Sequence, residues 1–320
     1  MGTLVEDVAD ALYSGHRSRI NASKIAGRYL DSGTGVSSRT VSSESNRSDD
    51  SNDISVVVRI EEQPSWVIQS VSGGWRRIVM NLIGNSFKFT KSGLIEVCLS
   101  QRVDRVNGSK SVQAHLSIKD TGCGISSEFL EDKLFQPFTQ ENDLTEGVGL
   151  GLSIVRQVIS YLGGTVDFRS EVGVGTQVDV FIPVEFIQSA SDGVPPVLNS
   201  PSVKTRTRVC LIGLDGFAGL DGVPAQVLST DAKRKLSIRG ALSNVLLSHS
   251  GWAVSFADSV EKSSGDIGVM EESMLKKLSR NGDVHANFKT VIILGQHGVS
   301  LPGSFAIKGA DVIYLSQPYV

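Results

Sequence analysis

What most limits the folds open to this 320-residue chain is an ordered set of polar residues between positions 81 and 152, each attached to a different kind of element. Asn81 and Asn85 lie in an amphipathic stretch, Asp120 ends an alternating one, and Gly147-Val148-Gly149-Leu150-Gly151-Leu152 opens a third. A fold that uses them together must bring a helix, a strand end and a glycine-rich helix start round one space. Wound as a helix, 75–90 puts Trp75, Val79, Leu82, Ile83 and Ser86 on one face and Asn81, Asn85 and Lys88 on the opposite one. An amide oxygen can complete the oxygen shell of a phosphate-bridging magnesium ion, and a lysine ammonium can meet phosphate charge directly. A solvated polar stripe on a surface helix accounts for the same spacing.

In 114–119, Leu116 and Ile118 alternate with polar neighbours as in a half-buried strand. Continuing the alternation puts Asp120 on the apolar side, where a carboxylate needs a donor. The exocyclic amine of adenine is one, and a hydrogen bond to a charged group contributes about 1.5–3 kcal/mol, enough to reject a base that presents an acceptor there. Gly122 and Gly124 allow a tight turn and a close approach to the base. A capped strand-to-turn junction is the plainer alternative. Asp-Thr-Gly is also the catalytic tripeptide of aspartic proteases, which need two carboxyls sharing a proton; the single copy here would require a homodimer.

The glycine run precedes a stretch in which Val155, Val158, Ile159 and Leu162 fall at helical spacing. Free N–H groups at a helix start, with the helix dipole, make an anion site suited to phosphates. Phe135 and Phe138, just before it, are expected either to hinge a mobile lid or to pack in the core. After Gly163-Gly164 come two alternating stretches joined by Gly173-Val174-Gly175-Thr176, expected as a hairpin turn with Thr176 beside Asp120.

These blocks, in this order, resemble the catalytic and ATP-binding domain of sensor histidine kinases over roughly residues 54 to 188. Asn-Leu-x-x-Asn-x-x-Lys-Phe-Thr, Asp-Thr-Gly-x-Gly-Ile and Gly-x-Gly-Leu-Gly-Leu-Ser match its N, G1 and G2 boxes, with the Phe135–Phe138 segment as the F box. The wording Phe-Thr-Gln-Glu-Asn-x-Leu-Thr-Glu-Gly is similar to fungal hybrid kinases. The resemblance implies an α/β sandwich with helices on a mixed, mostly antiparallel sheet, and it implies ATP with Mg2+. It also implies Asn85 as the magnesium ligand, Lys88 as a phosphate contact and Asp120 as the adenine reader. Gly147, Gly149, Gly151 and Leu152 become parts of the lid over the triphosphate. Related hydrolases, among them gyrase, mismatch-repair ATPases and a heat-shock chaperone, carry a glutamate base where this chain has Asn81. An amide cannot take that proton, so the resemblance implies slow hydrolysis and transfer to a protein acceptor.

The acceptor motif of the family, a histidine on a helical dimerisation hairpin followed by an acidic residue and Arg-Thr-Pro, is not matched at His16, His115, His249, His285 or His297. His16 reads as a solvated linker residue. The chain is therefore expected to begin downstream of its own substrate. It would act on a histidine hairpin in trans and feed a downstream receiver or phosphotransfer protein, or bind ATP without transferring phosphate, or represent a truncated gene product.

Net charge is −3, which gives no basic footprint for nucleic acid or an anionic membrane, and no apolar stretch reaches the length of a membrane span. Cys98, Cys123 and Cys210 are scattered without a C-x-x-C pair, as expected for free thiols in a reducing cytoplasm. Residues 1–53 read as a linker segment, with a polar, Ser-rich disordered insert from 31 to 53, and 189–206 as a second linker.

From 207 to 320, apolar stretches at 208–213, 252–257, 290–294 and 311–315 alternate with helical ones at 233–248 and around 271–278, which predicts βαβ units and a parallel sheet. This part resembles a receiver domain, incomplete for want of a closing helix. The expected third strand ends in Ile293-Leu294-Gly295 where a receiver carries an aspartate, and Gln317 stands before Pro318 where a receiver has lysine. The expectation is a degenerate receiver-like domain that docks or spaces.

Overall fold

In the computed structural model, which describes residues 1–31, 54–61, 65–106, 109–141, 147–186, 207–214, 229–248, 252–279, 287–295, 307 and 309–318, the chain opens with a 30-residue helix, α1 (Gly2–Asp31). Val5, Val8, Ala9 and Tyr13 form its buried stripe, which packs on α2 (Ser72–Phe89) and β1 (Ile54–Ile60). The linker expected over 1–53 is thus helical over residues 2–31 and packed through Val5, Val8, Ala9 and Tyr13, and each buried Val side chain contributes about 1.5–3 kcal/mol. His16, expected in solvent, is half-buried with its ring 5.1 Å from that of Phe87. Burial, then the neighbouring Arg19 and Arg17, push its pKa down. The Ser-rich insert lies outside the described residues.

Two compact units divide the chain, residues 1–61 with 70–184 and residues 62–69 with 185–320. The first is built on a five-stranded sheet of β1, β3 (Gly93–Val106), β4 (Ser109–Asp120), β5 (Thr165–Glu171) and β6 (Gly175–Pro183), in the order β1-β3-β4-β6-β5. Only β1 and β3 run parallel, so the sheet is mixed and mostly antiparallel, as expected. Along β4, Ala114, Leu116 and Ile118 are buried on the side of α2, α4 (Gly151–Tyr161) packs on α2 and β5, and a short α3 (Ser127–Asp132) packs near β5. The helical face read from the sequence is the buried one: Trp75, Val79, Leu82, Ile83 and Ser86 are all buried on α2.

Alternate positions of the same strands hold a polar network on the other side of the sheet. His115 Nε2 lies 2.9 Å from Asp179 Oδ1 and its Nδ1 lies 3.1 Å from Ser100 Oγ, with the ring stacked on Phe181 at 4.4 Å. Gln177 and Arg169 also donate to Asp179. Burial would raise the Asp179 carboxyl, but hydrogen bonds from His115, Ser117, Arg169 and Gln177 outweigh it and hold the carboxyl below its ordinary value.

In the second unit a two-stranded ribbon pairs β2 (Ile68–Gln69) with β7 (Glu185–Phe186). Five further strands, β8 (Thr207–Ile212), β9 (Trp252–Ala257), β10 (Ile267–Glu271), β11 (Thr290–Gly295) and β12 (Asp311–Ser316), form an all-parallel sheet in the order β12-β11-β10-β8-β9. Helix α5 (Thr230–Ser248) follows β8, and α6 (Glu272–Ser279) follows β10. Read from β9 this is the doubly wound order 2-1-3-4-5, consistent with a receiver-like unit.

One expectation in this unit is corrected. The third strand is β10, whereas 290–294 is the fourth. Five residues run straight from β10 into α6, so the apolar Val269-Met270 merges with the helical spacing that follows. The third strand therefore ends in Glu271, and Arg234 of α5 holds that carboxylate at 2.6 Å. Gln317 is buried in front of Pro318. The linker 189–206 lies outside the described residues.

Candidate functional site

Asp120 closes β4 on the helix side of the sheet and is 8% exposed, where the alternation placed it. Its carboxylate is held on three sides. Oδ1 accepts the backbone N–H of Gly122 at 3.0 Å and of Thr176 at 3.2 Å, and Oδ2 accepts the hydroxyl of Ser86 at 3.0 Å. Burial pushes the Asp120 carboxyl up, partly opposed by these hydrogen bonds from Gly122, Ser86 and Thr176.

Thr176 reaches Asp120 because β6 pairs with β4 in the register Asp120↔Thr176. Gly175, one residue earlier, has φ +136, and a Cβ there would lie 2.0 Å from the Asp120 carbonyl oxygen, so the strand can come this close only at glycine. The hydroxyl of Thr176 is shared with Ser170 Oγ at 2.9 Å, leaving the backbone N–H as its contact to the carboxylate. Gly122 lies at the same place: a Cβ would meet Asp120 Oδ1 and Thr90 Oγ1, both at 2.9 Å. Gly124 turns the loop onward beside Glu171.

Asn81, Asn85 and Lys88 share the less buried side of α2. Asn81 Nδ2 donates to the Arg77 carbonyl at 2.8 Å, and its Oδ1 lies 2.7 Å from where a Cβ at Gly151 would be, so the start of α4 sits directly against it. Lys88 reaches toward the glycine run, its Nζ 3.3 Å from the Cβ position of Gly147. Asn85 is half-buried one helical turn beyond Asn81. Leu152 follows Gly151 into α4 and is half-buried. The fold thus brings α2 and the glycine run together, as their polar residues required.

The aromatic pair before the glycines separates. Phe135 stands edge-on to Phe168 at 5.6 Å with the Arg156 guanidinium 5.0 Å over its ring, whereas Phe138 is 72% exposed with φ 62. Core packing therefore does not account for Phe138. Its N–H donates to the Gly149 carbonyl at 3.0 Å, and Gln140 Nε2 donates to the Gly147 carbonyl at 2.6 Å. The segment and the run are stitched by one backbone and one side-chain hydrogen bond, with Gly149 at φ +73. Residues 142–146 lie outside the described residues.

Sequence reasoning assigned Ser86 to the packing face and did not foresee its bond to Asp120. The available signal was one hydroxyl in an otherwise apolar helical face. Ser170, which also accepts the Ile125 N–H at 2.8 Å and donates to the Gly175 carbonyl at 3.0 Å, carried no signal, since it lies in an ordinary alternating strand. Cys98, Cys123 and Cys210 are free, with Cys98 and Cys210 buried and Cys123 exposed. Among the described residues, no helix is long and apolar enough to cross a membrane.

A family model described as histidine kinase-, DNA gyrase B-, and HSP90-like ATPase matches residues 71–185. The chain is 34% identical over 141 residues to the virulence sensor protein BvgS of Bordetella bronchiseptica, covering 42% of this chain and 11% of BvgS. It is 36% identical over 146 residues to the sensor histidine kinase AtsR of Burkholderia thailandensis, covering 43% of this chain and 23% of AtsR. The chain thus spans less than a quarter of the length of either relative, and neither is a fungal protein. The solved structure of full-length ShkA in complex with AMPPNP shares the fold at TM-score 0.52 and 18% identity, covering 100% of this chain and 53% of ShkA. Sequence match and sheet topology agree: residues 71–185 match the histidine kinase-, DNA gyrase B-, and HSP90-like ATPase model and are similar there to sensor histidine kinases.

Proposed function

We propose that this chain is the ATP-binding catalytic part of a two-component sensor histidine kinase and delivers the γ-phosphoryl group of ATP to a histidine on a dimerisation hairpin supplied by a partner. The single observation that carries the reading is the Asp120 carboxylate. It is buried, fixed by two backbone N–H groups and one hydroxyl, and left with an acceptor position that suits the exocyclic amine of adenine.

In this reading Gly122, Gly124 and Thr176 shape the base site. Lys88 meets phosphate charge, and Gly147, Gly149 and Gly151 turn backbone N–H groups toward the triphosphate ahead of α4. Phe135 and Phe138 carry the near end of the lid. For magnesium the donor set offers the half-buried amide of Asn85, on the same side of α2 as Asn81 and Lys88, and this cation characteristically takes few protein ligands beside phosphate and water. Asn85 would hold it through its amide oxygen. Bound there, magnesium would neutralise phosphate charge. Asn81 carries no proton-accepting carboxylate, so water near the γ-phosphate meets no base from this position, and an incoming imidazole is favoured as nucleophile. A cytoplasmic setting and onward transfer to a receiver or phosphotransfer protein belong to the same proposal.

Incubating the chain with γ-labelled ATP and an isolated dimerisation hairpin tests it. Acid-labile, base-stable phosphohistidine on the hairpin is expected, and it should disappear with Asp120→Ala. ATP bound in full with no phosphohistidine would leave a nucleotide-binding partner and refute the transfer step.

A further inference from the structure

We propose that Ser86 is the positioning residue that sets purine selectivity, by orienting the Asp120 carboxylate so that a single acceptor position faces the nucleotide. The proposal rests on the reading of Asp120 as the base-recognition group and goes beyond it by assigning the choice between 6-amino and 6-oxo purines to a residue of α2.

The argument is an accounting of lone pairs. An ionised carboxylate offers about four acceptor positions, two on each oxygen. Oδ1 is filled by the N–H groups of Gly122 and Thr176. Oδ2 takes the Ser86 hydroxyl at 3.0 Å, which leaves one position on Oδ2. The two backbone donors come from a turn and from a strand whose register is fixed by pairing, and both hold Oδ1, so Oδ2 takes neither of them. Ser86 donates from a different direction, the packed face of α2, and is itself 4% exposed. A hydroxyl that deep needs a partner, and a carboxylate 8% exposed has little water to use instead, so each fixes the other.

A serine inside a helix ordinarily turns its hydroxyl back to the preceding turn. Here it bridges from helix to strand end, 34 positions along the chain. With alanine at 86, Oδ2 would have two open positions, and it could accept from a water or a protonated ring nitrogen as readily as from an exocyclic amine. A site built to accept from an amine rejects the oxo analogue strongly because acceptor then faces acceptor. Freeing the second position on Oδ2 should weaken that rejection more than it weakens binding as a whole.

The test measures binding of magnesium ATP and magnesium ITP to the full chain, for the unaltered protein, Ser86→Ala and Ser86→Cys. The unaltered protein should prefer ATP by at least about a hundredfold. Ser86→Ala should bind ATP about tenfold more weakly and lose about tenfold of the ATP-to-ITP ratio. Ser86→Cys keeps the volume and a weak donor and should fall between; it also carries the test should the alanine variant not fold. If ATP binds with strong preference in the unaltered protein and the ratio is unchanged in both variants, Ser86 has only a packing role and the proposal is overturned. If the unaltered protein binds ATP no better than ITP, the reading of Asp120 itself fails.

Discussion

Asp179→Ala should destabilise the first unit although it lies across the sheet from the nucleotide site. The carboxylate is 3% exposed and accepts from His115 and Gln177, both at 2.9 Å, and from Arg169. Arg169 is largely exposed, so its share is small. Removing the acceptor strands the buried His115 nitrogen, at a cost of about 1–3 kcal/mol for an unsatisfied buried group, and the half-buried Gln177 amide, which can turn to water and costs less, giving a loss of about 3 kcal/mol at most. With a urea slope of about 2 kcal/mol per molar, the midpoint should fall by up to roughly 1.5 M. Trp66 and Trp252 lie in the second unit, so replacing both by Phe leaves the buried Trp75 as a fluorescence reporter of the first unit alone. The pH dependence has a definite sign. A carboxyl held below its ordinary value contributes stability that is present above the unfolded pKa of about 3.9 and is lost as pH falls through the folded value. The deficit of the variant should therefore be full at neutral pH and shrink on acidification below about pH 4. An unchanged midpoint at pH 7, or a deficit that grows in acid, would refute the reasoning. Because Asp179 also faces Ser117 in the β4–β6 register that delivers Thr176 to Asp120, the variant should bind nucleotide more weakly as well.

Asn81→Glu should raise ATP hydrolysis without a protein acceptor by at least about tenfold, since a positioned base contributes roughly 10²–10⁴-fold; phosphate release at saturating ATP measures it, and no change would mean that position 81 does not reach the attacking water. Arg234→Ala should lower the unfolding midpoint of the second unit, followed by Trp252 fluorescence, by the equivalent of about 3 kcal/mol. The arginine is mostly buried and its loss leaves Glu271 unpaired at the end of β10. Wild-type stability in that variant would show the pair to be incidental.

Long periodic segments made the first unit legible. The helical face of α2 and the alternation of β4 are each set by local spacing, so the elements that carry Asn81, Asn85 and Asp120 are legible without tertiary contacts. Cross-strand and helix-to-strand partners were not legible, because Ser86, Ser170 and the His115–Asp179 pair depend on register between distant segments. Helix α1 escaped notice because its buried stripe is thin, four residues in the first 13, among polar neighbours. The numbering of the second sheet failed at β10, a five-residue strand whose end is also a helix start; once β10 takes the third place, the group at that strand end is Glu271 in an ion pair with Arg234.

Calorimetric titration of magnesium ATP into the full chain, beside Asp120→Ala checked for intact secondary structure by circular dichroism, bears most directly on the central claim. The account predicts saturable heat at one site per chain for the unaltered protein and none for the variant. Equal binding by both, or no heat from the folded unaltered protein, would contradict it.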